Sequence, residues 1–314
     1  MRVLVVGAGA TGGYYGARLA EIGRDVTFLV RPARAGKLAA DGLVVRSPLG
    51  DTRIESPRTV TADALARGEA GAFDLVILSC KAYDLEAAVA DLAPAVGEGT
   101  AVLPILNGMA HLDLLDARFG ADRVLGGSCS IAATLAPDGA ILQLSDFGVF
   151  TYGERDGSRT PRIEAIDALV KDARFQPRSS GTILVEMWEK WVFLATLAAS
   201  TSLMRAAIGD IVAAPGGRDY ISGLYDECLS VAHASGVSPR EKVAANARAM
   251  LTAEGSTLTA SMMRDILGGH RIEADHIVGD LLSRGRGTGL ELSRLALAYT
   301  HLKAYEARRA REAA

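Results

Sequence analysis

The first sixteen residues, MRVLVVGAGATGGYYG, constrain the fold more than any other stretch. The run Arg2–Val6 is mostly β-branched, as a strand buried on both faces of a parallel sheet would be. It passes without a spacer into Gly7, Ala8, Gly9, Ala10, Thr11 and Gly12. A helical pattern over residues 14–22 follows and stops at Gly23. In a G-x-G-x-x-G turn the first glycine makes the tight bend. The second lets backbone approach a diphosphate, and the third lets helix and strand pack closely. Free N–H groups at the helix start then face an anion. The pattern alone is weak evidence, but its place after a strand and before a helix supports dinucleotide binding over an ordinary glycine-rich turn.

The 314 residues suit two domains. A net charge of −3 offers no footprint for nucleic acid or an anionic membrane. No apolar run approaches the ~20 residues of a membrane helix. The chain opens directly on a core strand, which leaves no place for a signal peptide. Three separated cysteines, Cys80, Cys129 and Cys228, suggest reduced thiols in a cytoplasmic setting. The five histidines show no ligand spacing, so no metal is expected.

Residues 1–180 alternate strand and helix signals. Strands are expected at 24–30, 73–80 and 100–106, and a hairpin around Pro48-Leu49-Gly50. Mixed strands are expected near 123–130 and 140–153, and a short one at 175–178. Pro104 is odd for a central strand. From residue 181 to the end, helical periods replace strands, with a long helix over 182–204. The fold class is therefore α/β, a doubly wound sheet in residues 1–180, followed by an all-α domain in 181–314. The final EARRAREAA reads as a fraying helix end.

Arg31 stands 19 residues after Gly12, where NAD-binding chains place an acid on the ribose 2′-hydroxyl. A guanidinium there suits a 2′-phosphate, so NADPH is preferred to NADH. The alternative is a solvated loop cation, and Arg34 is a second candidate. Lys81 and Asn107 follow successive strands, at the carboxyl ends where ligands bind in open α/β sheets. Further on, Lys190 shares a helix face with Leu194, Leu197 and Thr201. From spacing alone it either lies in a cleft or pairs with Glu186 one turn back. Ser261 and Glu273 flank a break at Gly268-Gly269.

The segments GAGATGGYYG, CKAYD, LNGM, WEKWVF, SMMRD and RIEAD occur in an order that resembles the 2-dehydropantoate 2-reductase (ketopantoate reductase) family along nearly the whole chain. The resemblance implies a Rossmann-like NADPH-binding domain and a helical substrate and dimerisation domain. It implies an NADP-dependent oxidoreductase that reduces 2-dehydropantoate to (R)-pantoate for pantothenate and CoA biosynthesis. Gly7, Ala8, Gly9, Ala10, Thr11 and Gly12 would hold the diphosphate and Arg31 the 2′-phosphate. Lys81 and Asn107 would line the nicotinamide end and the substrate. Lys190 and Glu273 would be catalytic and Ser261 a substrate contact. The partner would be a small 2-oxo acid, with no nucleic acid or membrane, and by analogy a homodimer. One departure stands out: the family pattern has asparagines where this chain has Leu194, Ala198 and Ile208. That leaves two other readings, a reductase of a different 2-oxo acid or ketone, and a non-catalytic NADPH-binding sensor.

Overall fold

The computed structural model describes residues 1–312. Its strands are β1 (Arg2–Val6), β2 (Asp25–Leu29), β3 (Leu43–Arg46), β4 (Thr52–Ile54), β5 (Arg58–Val60), β6 (Leu75–Leu78), β7 (Ala101–Pro104), β8 (Gly126–Leu135), β9 (Ile141–Gly153) and β10 (Gln176–Ser179). An all-parallel sheet runs β5-β2-β1-β6-β7. The apolar runs VLVV and LVIL are buried throughout, because helices cover both faces of such a sheet. The order puts the carboxyl end of β1 between those of β2 and β6. Pro104 is tolerated because β7 is the last strand of the five.

The late strands do not extend this sheet, as a single doubly wound sheet would require. They join the early hairpin β3-β4 in a second one, β10-β9-β3-β4, with β8 antiparallel on β9. The helix Ala10–Glu21 explains why. Gly16 lies so close to Phe28 of β2 that a Cβ would stand 2.4 Å from its ring, and Gly13 is as tight against Ile141 of β9. Tyr15, on the same helix, meets the rings of Phe150 and Phe175 at 4.8 and 5.0 Å. The helix is therefore covered on two sides and needs two sheets. Strand β5 and the helices Pro32–Asp41 and Ala110–Phe119 carry signals too short or too polar to be read in advance.

The chain divides into two compact units. The first comprises Met1–Leu106 and His111–Leu184; the second joins Asn107–Ala110 to the chain from Val185 onward. The second is helical, without a strand among its described residues. Its long elements are Ile183–Met204, Gly217–Ala234, Glu241–Leu251 and Ser293–Glu312, the first of which starts within the first unit. Buried Glu227 accepts hydrogen bonds from the backbone N–H groups of Arg294 and Leu295 and pairs with the Arg294 guanidinium. A carboxylate at that helix start satisfies donors that no helical carbonyl can reach. The C-terminal helix continues to Glu312, and the last two alanines of EARRAREAA lie outside the described residues. No described helix is long and apolar enough to cross a membrane.

Candidate active site

The glycine turn is built by packing. Gly7 has φ +94°, and its N–H donates to the Leu29 carbonyl at 2.9 Å, joining the turn to β2. A Cβ on Gly12 would lie 1.9 Å from Ser79 Oγ and 2.6 Å from the Gly7 carbonyl oxygen. Ser79 itself donates to the Val6 carbonyl at 2.9 Å. Gly9 differs from both, since a Cβ there would meet nothing within 4 Å. It caps the helix, which begins at Ala10 rather than at residue 14, with neither a side-chain cap nor an acid in its first turn. Unfilled space over a bare helix N-terminus fits the diphosphate of a dinucleotide.

Two arginines approach this turn differently. Arg31 caps the helix Pro32–Asp41, and its exposed guanidinium stands 3.2 Å from Asp84 Oδ1. Arg34 lies deeper, donating to the Ala8 carbonyl at 3.0 Å and to the Gly139 carbonyl at 3.4 Å. Burial holds its pKa below the ordinary arginine value. Arg34 thus touches the glycine turn directly, and sequence spacing ranked it second. Lys81 is exposed and caps the short turn Ala82–Asp84.

The helical unit gathers its own group of residues. Lys190 is half-buried on the helix Ile183–Met204, between buried Trp188 and Trp191. Glu189 and Glu186 are buried and face Arg240, at 2.5 and 3.8 Å. Trp191 donates from Nε1 to the Ile277 carbonyl at 2.9 Å. Ile277 lies in a π-helical turn, Asp275–Gly279, which begins two residues after Glu273. Such turns open the usual backbone bonding and recur at functional sites. Gly108, with φ +78°, would place a Cβ 2.7 Å from the His276 carbonyl oxygen. Trp191 therefore ties the Lys190 helix to the segment that follows Glu273, and the Asn107-Gly108 turn rests on that same segment. Glu273 is buried just ahead of the π turn, with its carbonyl accepting from Ile277 N–H at 3.0 Å. Burial lowers the His276 pKa, while the charges of Glu273 and Asp280 oppose that shift. Ser261 opens a short helix, Ser261–Leu267, whose preceding Ala260 N–H donates to Thr201 Oγ1 at 3.4 Å.

Two family models match this chain: "Ketopantoate reductase PanE/ApbA" over residues 3–157 and its C-terminal counterpart over 182–306. The chain belongs to the ketopantoate reductase family. Among similar proteins is "Uncharacterized oxidoreductase YkpB" of Bacillus subtilis, 36% identical, the match covering 98% of this chain and 99% of that one. A 2-dehydropantoate 2-reductase of Halobacterium salinarum is 29% identical over 91% of this chain and 92% of its own. The crystal structure of 2-dehydropantoate 2-reductase from Geobacter metallireducens superposes with a TM-score of 0.86 at 28% identity, covering 97% and 99% of the two chains.

Within this ketopantoate reductase family member, Ala198 and Ile208 are buried and Leu194 is half-buried. The nearby hydroxyls of Thr196, Ser200 and Thr201 donate to carbonyls of their own helix. Thr196 and Ser200 are therefore already engaged and are poor replacements for amide donors. Sequence reasoning passed over Asp84, Trp191 and His276. Asp84 stood in the CKAYD segment, but only the fold shows that Arg31 is its partner.

Proposed function

We propose that this protein is an NADPH-dependent reductase of a 2-oxo acid, with 2-dehydropantoate the first substrate to test. The observation that carries the reading is the family match across both units, joined to a half-buried Lys190 on a helix that Trp191 fastens to the turn following Glu273. A bound reduced nicotinamide supplies hydride to the ketone carbon. The N–H groups after Gly9 and the guanidiniums of Arg31 and Arg34 hold the diphosphate and the 2′-phosphate. Lys81 and Asn107 line the nicotinamide end. The Lys190 ammonium polarises the ketone oxygen and delivers the proton that the developing alkoxide requires. Glu273 keeps that ammonium charged and oriented, and Ser261 and Asn107 receive the substrate carboxylate or hydroxyl. The helical unit would carry substrate recognition and a homodimer contact. Pantothenate synthesis in the cytoplasm is the setting this activity implies.

A second reading is favoured by Leu194, Ala198 and Ile208. Apolar groups where the family pattern has amides weaken discrimination for a substrate hydroxyl, which suits a more apolar 2-oxo acid or ketone. The test is NADPH oxidation at 340 nm with 2-dehydropantoate beside a panel of 2-oxo acids, with NADH as control. Turnover of 2-dehydropantoate above all others supports the first reading. Preference for an apolar 2-oxo acid replaces it with the second. Bound NADPH without turnover of any substrate would leave a sensor.

A further inference from the structure

We propose that Asp84 is a cofactor-selectivity residue that acts through Arg31 and narrows the preference for NADPH over NADH. The inference rests on the cofactor reading above. Its basis is topological as well as electrostatic. Arg31 follows β2 by two residues and Asp84 follows β6 by six, and β1 lies between those strands. Their 3.2 Å ion pair therefore bridges the carboxyl end of β1, where the glycine turn begins. A dinucleotide held by that turn meets both partners together.

The pair has opposite consequences for the two cofactors. A 2′-phosphate must take guanidinium N–H groups that now face a carboxylate, and that carboxylate repels it. A 2′-hydroxyl brings no charge and can donate to Asp84, as it does to the acid of NAD-binding chains. Arg31 alone selects the phosphate; Arg31 with Asp84 accepts both ribose forms. Asp84 is two-thirds buried as a side chain and Arg31 largely exposed, so the coupling is modest and sensitive to salt.

Calorimetric titration of the full chain with NADPH and with NADH tests this in wild type and Asp84→Asn. The amide keeps the shape and removes the charge. Asp84→Asn is expected to bind NADPH about three- to tenfold more tightly at low salt, with the gain shrinking as salt rises. NADH binding is expected to stay the same or weaken. In an Arg31→Ala background the gain for NADPH is expected to shrink, because the carboxylate no longer competes for the guanidinium. Unchanged or weaker NADPH binding in Asp84→Asn, or an equal change for both cofactors, overturns the proposal. Wild type that binds neither dinucleotide overturns the cofactor reading itself, a result distinct from wild type that binds NADPH with no response at Asp84.

Discussion

The glycine turn and the Lys190 helix bring chemistry to the protein in opposite ways. The turn is local: β1, Gly7 to Gly12 and the next helix are contiguous; Gly7 is required by its positive φ and Gly12 by atoms under 3 Å away, while Gly9 faces open space. The site proposed for Lys190 draws on four separated segments, around residues 107, 190, 261 and 273; an indole joins the Lys190 helix to the turn after Glu273, and single contacts link Gly108 to His276 and Ala260 to Thr201. Local chemistry leaves a motif in sequence. Assembled chemistry leaves single residues whose ordinary roles are equally good explanations.

The sharpest way to break this comparison is to remove one group from the assembled half. Lys190→Ala is expected to lower kcat by about 10²–10⁴-fold, the usual worth of a positioned general acid. NADPH binding should persist, because the glycine turn is untouched. Loss of cofactor affinity together with rate would show that the two halves do not divide the work this way.

Within the turn, two glycines should fail differently. Gly12→Ala drives a Cβ into Ser79 and the Gly7 carbonyl, and backbone cannot retreat cheaply. Destabilisation of about 1–3 kcal/mol is expected, read by chemical denaturation. Gly9→Ala places its Cβ in open space at the helix N-cap, so stability should hold within about 1 kcal/mol while NADPH affinity drops at least about tenfold. Equal loss of stability in both variants would mean that Gly9 serves packing and not a ligand.

Trp191→Phe probes what holds the assembled half together. It keeps most of the buried ring and removes the donor to the Ile277 carbonyl. A stability loss of about 1 kcal/mol is expected from losing this buried hydrogen bond. If Trp191 acts by positioning the Lys190 helix, a fall in kcat larger than the change in KM should accompany it. A stability loss with kinetics unchanged would reduce Trp191 to a core residue.

What was legible in the sequence follows the same division. The parallel sheet, the glycine turn and the switch to helices were visible because period and glycine spacing act over a few residues. The separate second sheet was not, since only the helix packed between two sheets explains it, through Gly13 against Ile141 and Tyr15 against Phe150. Arg31 was singled out by its distance from Gly12, but its ion pair joins residues 53 apart in sequence, beyond the ends of two strands that flank β1. The π turn was not legible, because nothing in RIEADHIVG marks the carbonyl that Trp191 takes.

The smallest expected effect concerns pH and separates the two units once more. His276, at the π turn, has a pKa held below the usual histidine value, chiefly by burial. His301, in the C-terminal helix, is shifted the same way for the same reason. Each is favoured neutral when folded, so unfolding takes up protons once the pH falls below about 6.5, the unfolded value. The stabilisation is complete above that pH and is lost as the pH drops towards the folded values. Thermal denaturation between pH 7.5 and 5 should therefore show the helical unit weakening first, by a few degrees. His276→Gln keeps a polar group of similar reach and removes the titration, so it should flatten part of that slope without changing the melting point above pH 7. An unchanged slope in His276→Gln would place the acid sensitivity elsewhere.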